Sequence, residues 1–406
     1  MYGKFKLKKS YDIVIVGAGV IGLSVANALL NFDRKLGIAV LEKENAIGSH
    51  ASGRNSGVIH AGFYYSPETL KARFCAEGNI ALKRLCEINQ IPIRNTGKIV
   101  VAQNYEESKV LQSLYNRGLT NGVELHLLEA RELKRIEPLA VTQEAFIWSP
   151  TTSVSDPKRV LEVMSKQFLA MGGEVILNAK LEKTEPGRSL VSGNLIKHKH
   201  LVNCAGAQAD RIAHTVNVGL DYAMIPFMGM YRAVEEKRLP IRTLIYPVPN
   251  PVHPFLGVHF TLTIDNKTKI GPTSLMVPGR ENYSIFDKWT YRDFQESMTA
   301  SLNFLRGDPL NVLRLLTSEI RKIRASTLIQ EASKLVPSAT TIENWAKKPA
   351  GIRAQLIHKP TQTLEQDYVV RAGEGSTHIL NAVSPGWTSS IPFSSWVVEQ
   401  YIRSSI

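Results

Sequence analysis

The chain has 406 residues, 44% of them hydrophobic and 21% charged, with a formal net charge of +13. That length can bury two sizeable cores, and the composition is that of a globular chain rather than a disordered or fibrous one. No apolar run is long enough to span a bilayer, and the three cysteines form neither a redox motif nor a metal-ligand spacing.

The lysine-bearing N-terminus passes into the first apolar stretch without a hydrophobic signal core, so an intracellular protein in a reducing compartment is expected. Cys75 and Cys86 share a predicted helix about three turns apart, too far to bridge. Basic residues concentrate at Lys4, Lys6, Lys8 and Lys9, and again at Arg314, Arg321, Lys322 and Arg324. Such a charge attracts anionic substrates and cofactors, and contact with an anionic membrane surface is the sharper alternative. Aromatic residues do not interleave with the basic runs, which argues against nucleic acid.

In chain order, Tyr11–Val16 is a β-branched apolar run that reads as a buried parallel strand. It runs into Gly17, Gly19 and Gly22 in a G-x-G-x-x-G, and then into a helix from Leu23. Gly17 permits the tight bend, Gly19 lets a pyrophosphate approach the backbone, and Gly22 lets helix and strand pack closely. A second strand, Gly37–Leu41, is followed by Glu42, where an acidic residue takes ribose hydroxyls. With a strand before and a helix after, the motif predicts dinucleotide binding.

Residues 49–62 are small, polar and glycine-rich, a loop that must lie against something. A helix is predicted over Pro67–Ile88, a strand over Thr96–Ala102, and helices over Glu106–Leu119 and Glu129–Leu133. Asp156 as N-cap and Pro157 at the first helical position begin a helix that Gly172 and Gly173 stop. Strands follow at Glu174–Leu177 and His200–Ala207. The second ends in small residues, Ala205 and Gly206 among them, where a strand end would meet the cofactor.

From Ala223 the pattern alternates. Met224–Ala233, Thr243–Pro247 and Leu256–Thr263 read as antiparallel strands, with a turn at Asp265, Asn266 and Lys267 before Lys269–Pro272. Helices are predicted over Tyr291–Leu305 and Asp308–Lys334. Strands at Pro349–Arg353, Tyr368–Val370 and Thr377–Asn381 return to the first domain, and a helix over Ser394–Ile402 closes the chain. There is no second G-x-G-x-x-G, so the reductant is expected to be the substrate rather than a nicotinamide.

On Ala51–Gly62 with Phe63, Tyr64 and Tyr65, Leu244–Pro249, Pro254–His259, Ala350–Gln355 and Asn381–Pro385, the chain resembles the FAD-dependent D-amino-acid oxidase and glycine oxidase (DAO) superfamily. Within it, the likeness is greatest to the L-2-hydroxyglutarate dehydrogenases. The resemblance implies an α/β fold: a Rossmann-type FAD-binding domain (1–90, 151–220 and 346–406) interleaved with an α+β substrate domain carrying an antiparallel sheet (91–150 and 221–345). It implies FAD as cofactor, with the isoalloxazine at the domain interface, and oxidation of a small 2-hydroxy-acid anion. Electrons would pass to a membrane quinone or to oxygen. A cytoplasmic location is expected, with peripheral contact at the inner membrane and a mitochondrial address as alternatives.

The resemblance also assigns Lys43, Ser52, Arg54, Asn55, Ser56 and Gly57 to the cofactor, and the C-terminal loop at Ser384, Pro385 and Gly386 is expected to face the flavin. Two segments depart from the family pattern. Pro226–Tyr231 stands where Arg and Glu are usual, and Gly386–Ser390 is bulkier than usual. The first puts the distal carboxylate's partner in question.

Oxidising a 2-hydroxy acid needs a base for the hydroxyl proton and a cation for the carboxylate. His60, just after the glycine-rich loop, is the first candidate base; a structural hydrogen bond is its alternative. His259, on a predicted strand, is second, and His253, in a proline-rich loop, is third. Arg353 is the candidate carboxylate clamp, with an ordinary salt bridge as the alternative. Tyr64, Tyr65, Tyr231 and Tyr246 are candidate hydroxyl contacts or half-buried packing. Two other functions remain open: an amine oxidase of the glycine-oxidase kind, and a flavin-carrying electron-transfer or assembly subunit. No metal site is expected.

Overall fold

A computed structural model describes residues 7–250, 255–284, 287 and 289–405. His253 lies outside the described residues. The chain divides into two compact units: unit 1 comprises residues 1–55, 157–225 and 354–406, and unit 2 comprises residues 56–156 and 226–353.

Unit 1 is a doubly covered parallel sheet. Its parallel strands run in the order Glu174–Ile176, Ile38–Leu41, Ser10–Val16, Asn194–Asn203, Ser376–Asn381, and Val369–Gly373 pairs antiparallel with the last. Val14, Ala39, Leu41 and Ile176 are buried together, as expected for strands covered on both faces. The helix Val20–Phe32 packs against the helices Pro157–Ala170 and Gly386–Val397. Ser389, Ser390 and Ser394 are fully buried, and these small side chains permit the close approach of the C-terminal helix. Two antiparallel strands, Leu181–Glu185 and Arg188–Val191, extend the sheet from the first half of Asn194–Asn203.

Unit 2 holds a larger sheet, in the order Ala346–His358, Tyr222–Glu235, Lys267–Gly271, His259–Leu262, Leu244–Pro247, Lys98–Val101, Ala145–Ser149, His126–Glu129; the first two strands start or end in unit 1. Leu244–Pro247 and Lys98–Val101 run parallel. The 265–267 turn is as expected, with Asn266 at φ 54°. The unit's core joins Phe63, Ile99, Val101, Phe146, Ile245 and Phe260 with Leu335 and Trp345.

Several boundaries differ from expectation. Residues 56–90, expected in the cofactor domain, lie in unit 2, because Val58–Ile59 pairs with Ser153–Ser155 and Phe63 belongs to that core. The predicted helix over 308–334 is two helices, Pro309–Arg321 and Ala325–Ser333, divided at Lys322–Arg324. The closing helix begins at Gly386 rather than Ser394, and Pro392 sits inside it.

Candidate active site

In unit 1 the predicted turn is built as glycine requires. Gly17 has φ 105°, in the region L side chains avoid. A Cβ on Gly22 would lie 1.9 Å from the Gly17 carbonyl oxygen, and one on Gly19 would lie 2.9 Å from Ser52 Oγ. The backbone here therefore approaches its neighbours as closely as only glycine allows. The N-terminus of the helix Val20–Phe32 carries no acidic residue in its first turn. Val20 N–H donates to Ser52 Oγ at 2.9 Å. The buried Glu42 carboxylate accepts from the Ala18 and Glu44 N–H groups, both at 3.0 Å, which ties the acid to the turn. A glycine-built helix N-terminus, with the Ser52 hydroxyl on its first amide and a fixed carboxylate beside it, fits the pyrophosphate and ribose of an adenine dinucleotide.

The other expected cofactor residues of unit 1 are placed as follows. Arg54 Nε donates to the Ser49 carbonyl at 2.9 Å, and Asn55 Nδ2 to the Ser52 carbonyl at 2.6 Å, so both brace the glycine-rich loop. Lys43 pairs with Glu44 at 3.0 Å. Ala205 and Gly206 follow the Asn194–Asn203 strand, and Asn203 Oδ1 accepts from the Ala205 N–H. Ser384 and Pro385 precede the helix that starts at Gly386. Ser56 and Gly57 belong to unit 2, where the Gly57 carbonyl accepts from Ser155 N–H at 2.9 Å.

Unit 2 gathers a second group of residues. His259 is buried and lies flat on Tyr246, ring centroids 3.9 Å apart. Its Nδ1 is 2.8 Å from the Gly257 carbonyl. A carbonyl only accepts, so Nδ1 carries the proton and Nε2 keeps its lone pair. Burial pulls the His259 pKa down to about 4, against the Gly257 bond and helped by the Lys269 and Lys98 charges. His60 is half-buried and is also held well below its usual value, by desolvation first and then by Lys98 and His259. The two candidate bases are therefore neutral at pH 7.

Lys98, which sequence reasoning passed over as an ordinary strand residue, is fully buried. Its Nζ lies 4.3, 4.4 and 4.9 Å from the ring centroids of Phe63, Tyr64 and Tyr246, and has no hydrogen-bond partner among the described residues. Burial lowers its pKa to about 7. The Tyr64 hydroxyl is likewise buried without a partner. Lys269 sits over the Tyr231 ring at 4.2 Å, its pKa lowered by burial to about 8. Burial lowers the Arg353 pKa too, against the opposing pull of Tyr65 and Tyr231, and its guanidinium covers the Phe255 ring at 4.7 Å. The Tyr231 phenol is pushed up by burial to about 12, and the Tyr246 phenol higher still.

Burial thus presses the cations Lys98, Lys269 and Arg353 toward their neutral forms, and the ammonium of Lys98 is buried with no hydrogen-bond partner among the described residues. An incoming anion would satisfy such a group. Lys98 could have been suspected from its place in the apolar strand Lys98–Val101, where a lysine has no route to solvent on either face.

The sequence matches the FAD dependent oxidoreductase (DAO) family over residues 12–400. It is 35% identical to the L-2-hydroxyglutarate dehydrogenase of Salmonella houtenae, with 96% of this chain and 93% of that one covered. It is 34% identical to the mitochondrial L-2-hydroxyglutarate dehydrogenase of Bos taurus, with 98% and 90% covered. Among solved structures, the L-alpha-glycerophosphate oxidase of Mycoplasma pneumoniae with FAD bound superposes with a TM-score of 0.75 at 22% identity, covering 96% of this chain and 94% of that one. Glycine oxidase from Geobacillus kaustophilus gives 0.73 at 18% identity, with 98% and 95% covered; at these identities the likeness is one of fold. The fold, the glycine turn and these matches lead to one conclusion: the chain belongs to the FAD dependent oxidoreductase (DAO) family, and its cofactor is FAD.

Proposed function

We propose that this protein oxidises an L-2-hydroxy acid, L-2-hydroxyglutarate above all, to the 2-oxo acid. The observation that carries the reading is the set of buried cations and neutral histidines in unit 2, a surrounding suited to a small organic anion that must lose a proton. The relatives named L-2-hydroxyglutarate dehydrogenase, matched over nearly their whole length, support the choice of substrate.

Bound FAD supplies the two-electron acceptor for the hydride at C2. Gly17, Gly19, Gly22, Glu42 and Ser52 would hold its pyrophosphate and ribose. Arg353 binds the C1 carboxylate through its fork of N–H donors. His259 accepts the hydroxyl proton at Nε2, its other nitrogen being committed to Gly257. His60 serves as a second acceptor or orients the hydroxyl. Lys98 and Lys269 contribute positive charge that favours the substrate anion, and the imidazoles are kept unprotonated by desolvation first, with Lys98 acting on both and Lys269 on His259. The electrons leave to a membrane quinone or to oxygen, and the protein works in the cytoplasm or mitochondrion in peripheral contact with a membrane. No described helix is long and apolar enough to cross one.

The test is anaerobic bleaching of the flavin. L-2-hydroxyglutarate should reduce it within seconds, and the D-enantiomer, glycine and glycerol 3-phosphate should not. Reduction by an amino acid with no response to any 2-hydroxy acid would replace this reading with an amine oxidase. A flavin that no such compound reduces would point to a carrier subunit.

A further inference from the structure

Two consecutive helices of unit 2, Tyr291–Gly307 and Pro309–Arg321, are apolar on two sides. The first buries Ser297, Ala300 and Phe304, which lie within about 60° of one another around the helix axis. Tyr291, Met298 and Leu302 form a second stripe, about 40° wide and centred roughly 150° away, and all three are exposed, Tyr291 at 77%. The second helix repeats the arrangement. Val312, Leu315 and Glu319 are buried, while Leu310, Leu313 and Ile320 are exposed on the other side, Leu310 at 70%. The helices pack on each other, so each has one covered face and one bare apolar stripe. A surface helix of a globular protein ordinarily carries charge there. Trp289, half-exposed and stacked on Phe294 with centroids 4.9 Å apart, immediately precedes the N-cap Thr290 of the first helix.

The charges beside the stripes are of one sign. Arg306, Arg314 and Arg321 are exposed and have no ion pair among the described residues. The acids of the same segment are engaged elsewhere. Asp293 and Asp308 cap the two helices, Glu296 pairs with Arg280 and Arg292, and buried Glu319 pairs with Lys322. An apolar stripe flanked by arginines, with Trp and Tyr at its margin, has the chemistry of a helix lying in a lipid interface.

We propose that this helical pair is the face by which the protein docks on an anionic phospholipid surface, with Tyr291, Met298, Leu302, Leu310, Leu313 and Ile320 entering the acyl boundary and Arg306, Arg314 and Arg321 meeting lipid phosphates. The inference rests on the membrane contact proposed above and specifies its site; it does not depend on the substrate chemistry. A second copy of the chain would cover the leucines equally well, but would set these arginines against their own counterparts.

The experiment is flotation of the FAD-loaded protein with vesicles of phosphatidylcholine alone and of phosphatidylcholine with 30% phosphatidylglycerol. The expected result is at least about tenfold stronger partition to the anionic vesicles, weakened by 0.5 M salt. The variants Leu310→Ser/Leu313→Ser/Ile320→Ser and Arg306→Gln/Arg314→Gln/Arg321→Gln should each lose that partition at least about tenfold while keeping bound flavin and its anaerobic reduction. Wild-type protein that floats with neither vesicle, or both variants floating like wild type, would overturn the proposal. So would a wild-type dimer that the leucine variant converts to monomer without any change in flotation. Flotation intact with no flavin reduction by a hydroxy acid would sink the proposed chemistry and leave this surface standing.

Discussion

Tyr246 stacks on His259 with planes 21° apart, and the same imidazole is pinned through Nδ1 to the Gly257 carbonyl. Ring plane and tautomer are therefore both fixed, leaving Nε2 as the free acceptor. His259→Ala should slow anaerobic flavin reduction by about 10²–10⁴-fold, with little change in substrate affinity. Stopped-flow absorbance decides it. If His259→Ala reduces at the wild-type rate and His60→Ala does not, the base is His60; if neither slows, histidine base catalysis is wrong.

Arg353 should act on binding more than on chemistry. Its guanidinium is desolvated against Phe255, so a carboxylate that reaches it gains a strong pair of charge-assisted hydrogen bonds. Arg353→Met should raise KM for the hydroxy acid by about 10–100-fold, and Arg353→Lys should recover only part of the loss, because a lysine cannot bind both oxygens at once. An unchanged KM in steady-state kinetics would remove Arg353 from the clamp.

Lys98 predicts a trade between stability and binding. Its folded pKa, about 7, lies below the usual 10.5, so the unfolded chain holds more protons between those values. Its stabilising contribution therefore grows as pH rises through that window and is lost as pH falls to 7. Lys98→Met removes an unpartnered buried ammonium, and should raise stability at pH 7 by about 1–3 kcal/mol, seen as a higher melting temperature. The same variant should bind a dicarboxylate more weakly than wild type by about tenfold. A lower melting temperature with unchanged affinity would make Lys98 a structural residue only.

The sequence exposed the nucleotide unit more fully than the substrate unit, for physical reasons. The strand Ser10–Val16, the glycine turn, the helix and Glu42 are all local: each is set by neighbours within a few residues, and the structure has them nearly at the expected positions. His259 and Arg353 stood out because their residue types imply chemistry. Lys98 did not, since its surroundings come from Phe63, Tyr64 and Tyr246, brought around it by chain 35 and 34 residues before and 148 residues after. The 181–191 strands were missed because their alternation is broken by charged residues on an exposed face. The break at Lys322–Arg324 lacks the proline or glycine that would have announced it.

Gly22 gives a direct check on cofactor binding. A methyl group there would lie 1.9 Å from the Gly17 carbonyl oxygen, and that oxygen belongs to backbone that cannot move without opening the turn. Gly22→Ala should leave the protein largely without flavin, read as the ratio of absorbance at 450 nm to that at 280 nm after purification. Gly193→Ala makes the contrast: nothing lies within 4 Å of its Cβ position, so only the strain of its φ of 76° applies and most flavin should be retained. Equal flavin content in the two variants would contradict a pyrophosphate seat at this turn.

Three histidines set the acid limit of stability. His200, His259 and His378 are buried, and desolvation lowers each pKa to about 4. At His378 desolvation acts first and the neighbouring His200 second, and the bonding also leaves a second ring proton poorly placed. The Asn203 amide donates to Nδ1 at 3.1 Å, and Nε2 lies 3.0 Å from Ser376 Oγ, so a proton arriving on Nδ1 would face an N–H group. In the unfolded chain each titrates near 6.5, so between about 6.5 and 4 the unfolded state binds more protons and stability falls as pH falls. The melting temperature of the FAD-loaded protein should therefore hold above pH 7 and drop steadily below about 6.5. His378→Asn should lower stability at pH 7 yet flatten the decline, since one of the protons that drives unfolding is gone. A variant whose melting temperature falls with pH as steeply as that of the wild type would show that His378 does not take up its proton on unfolding.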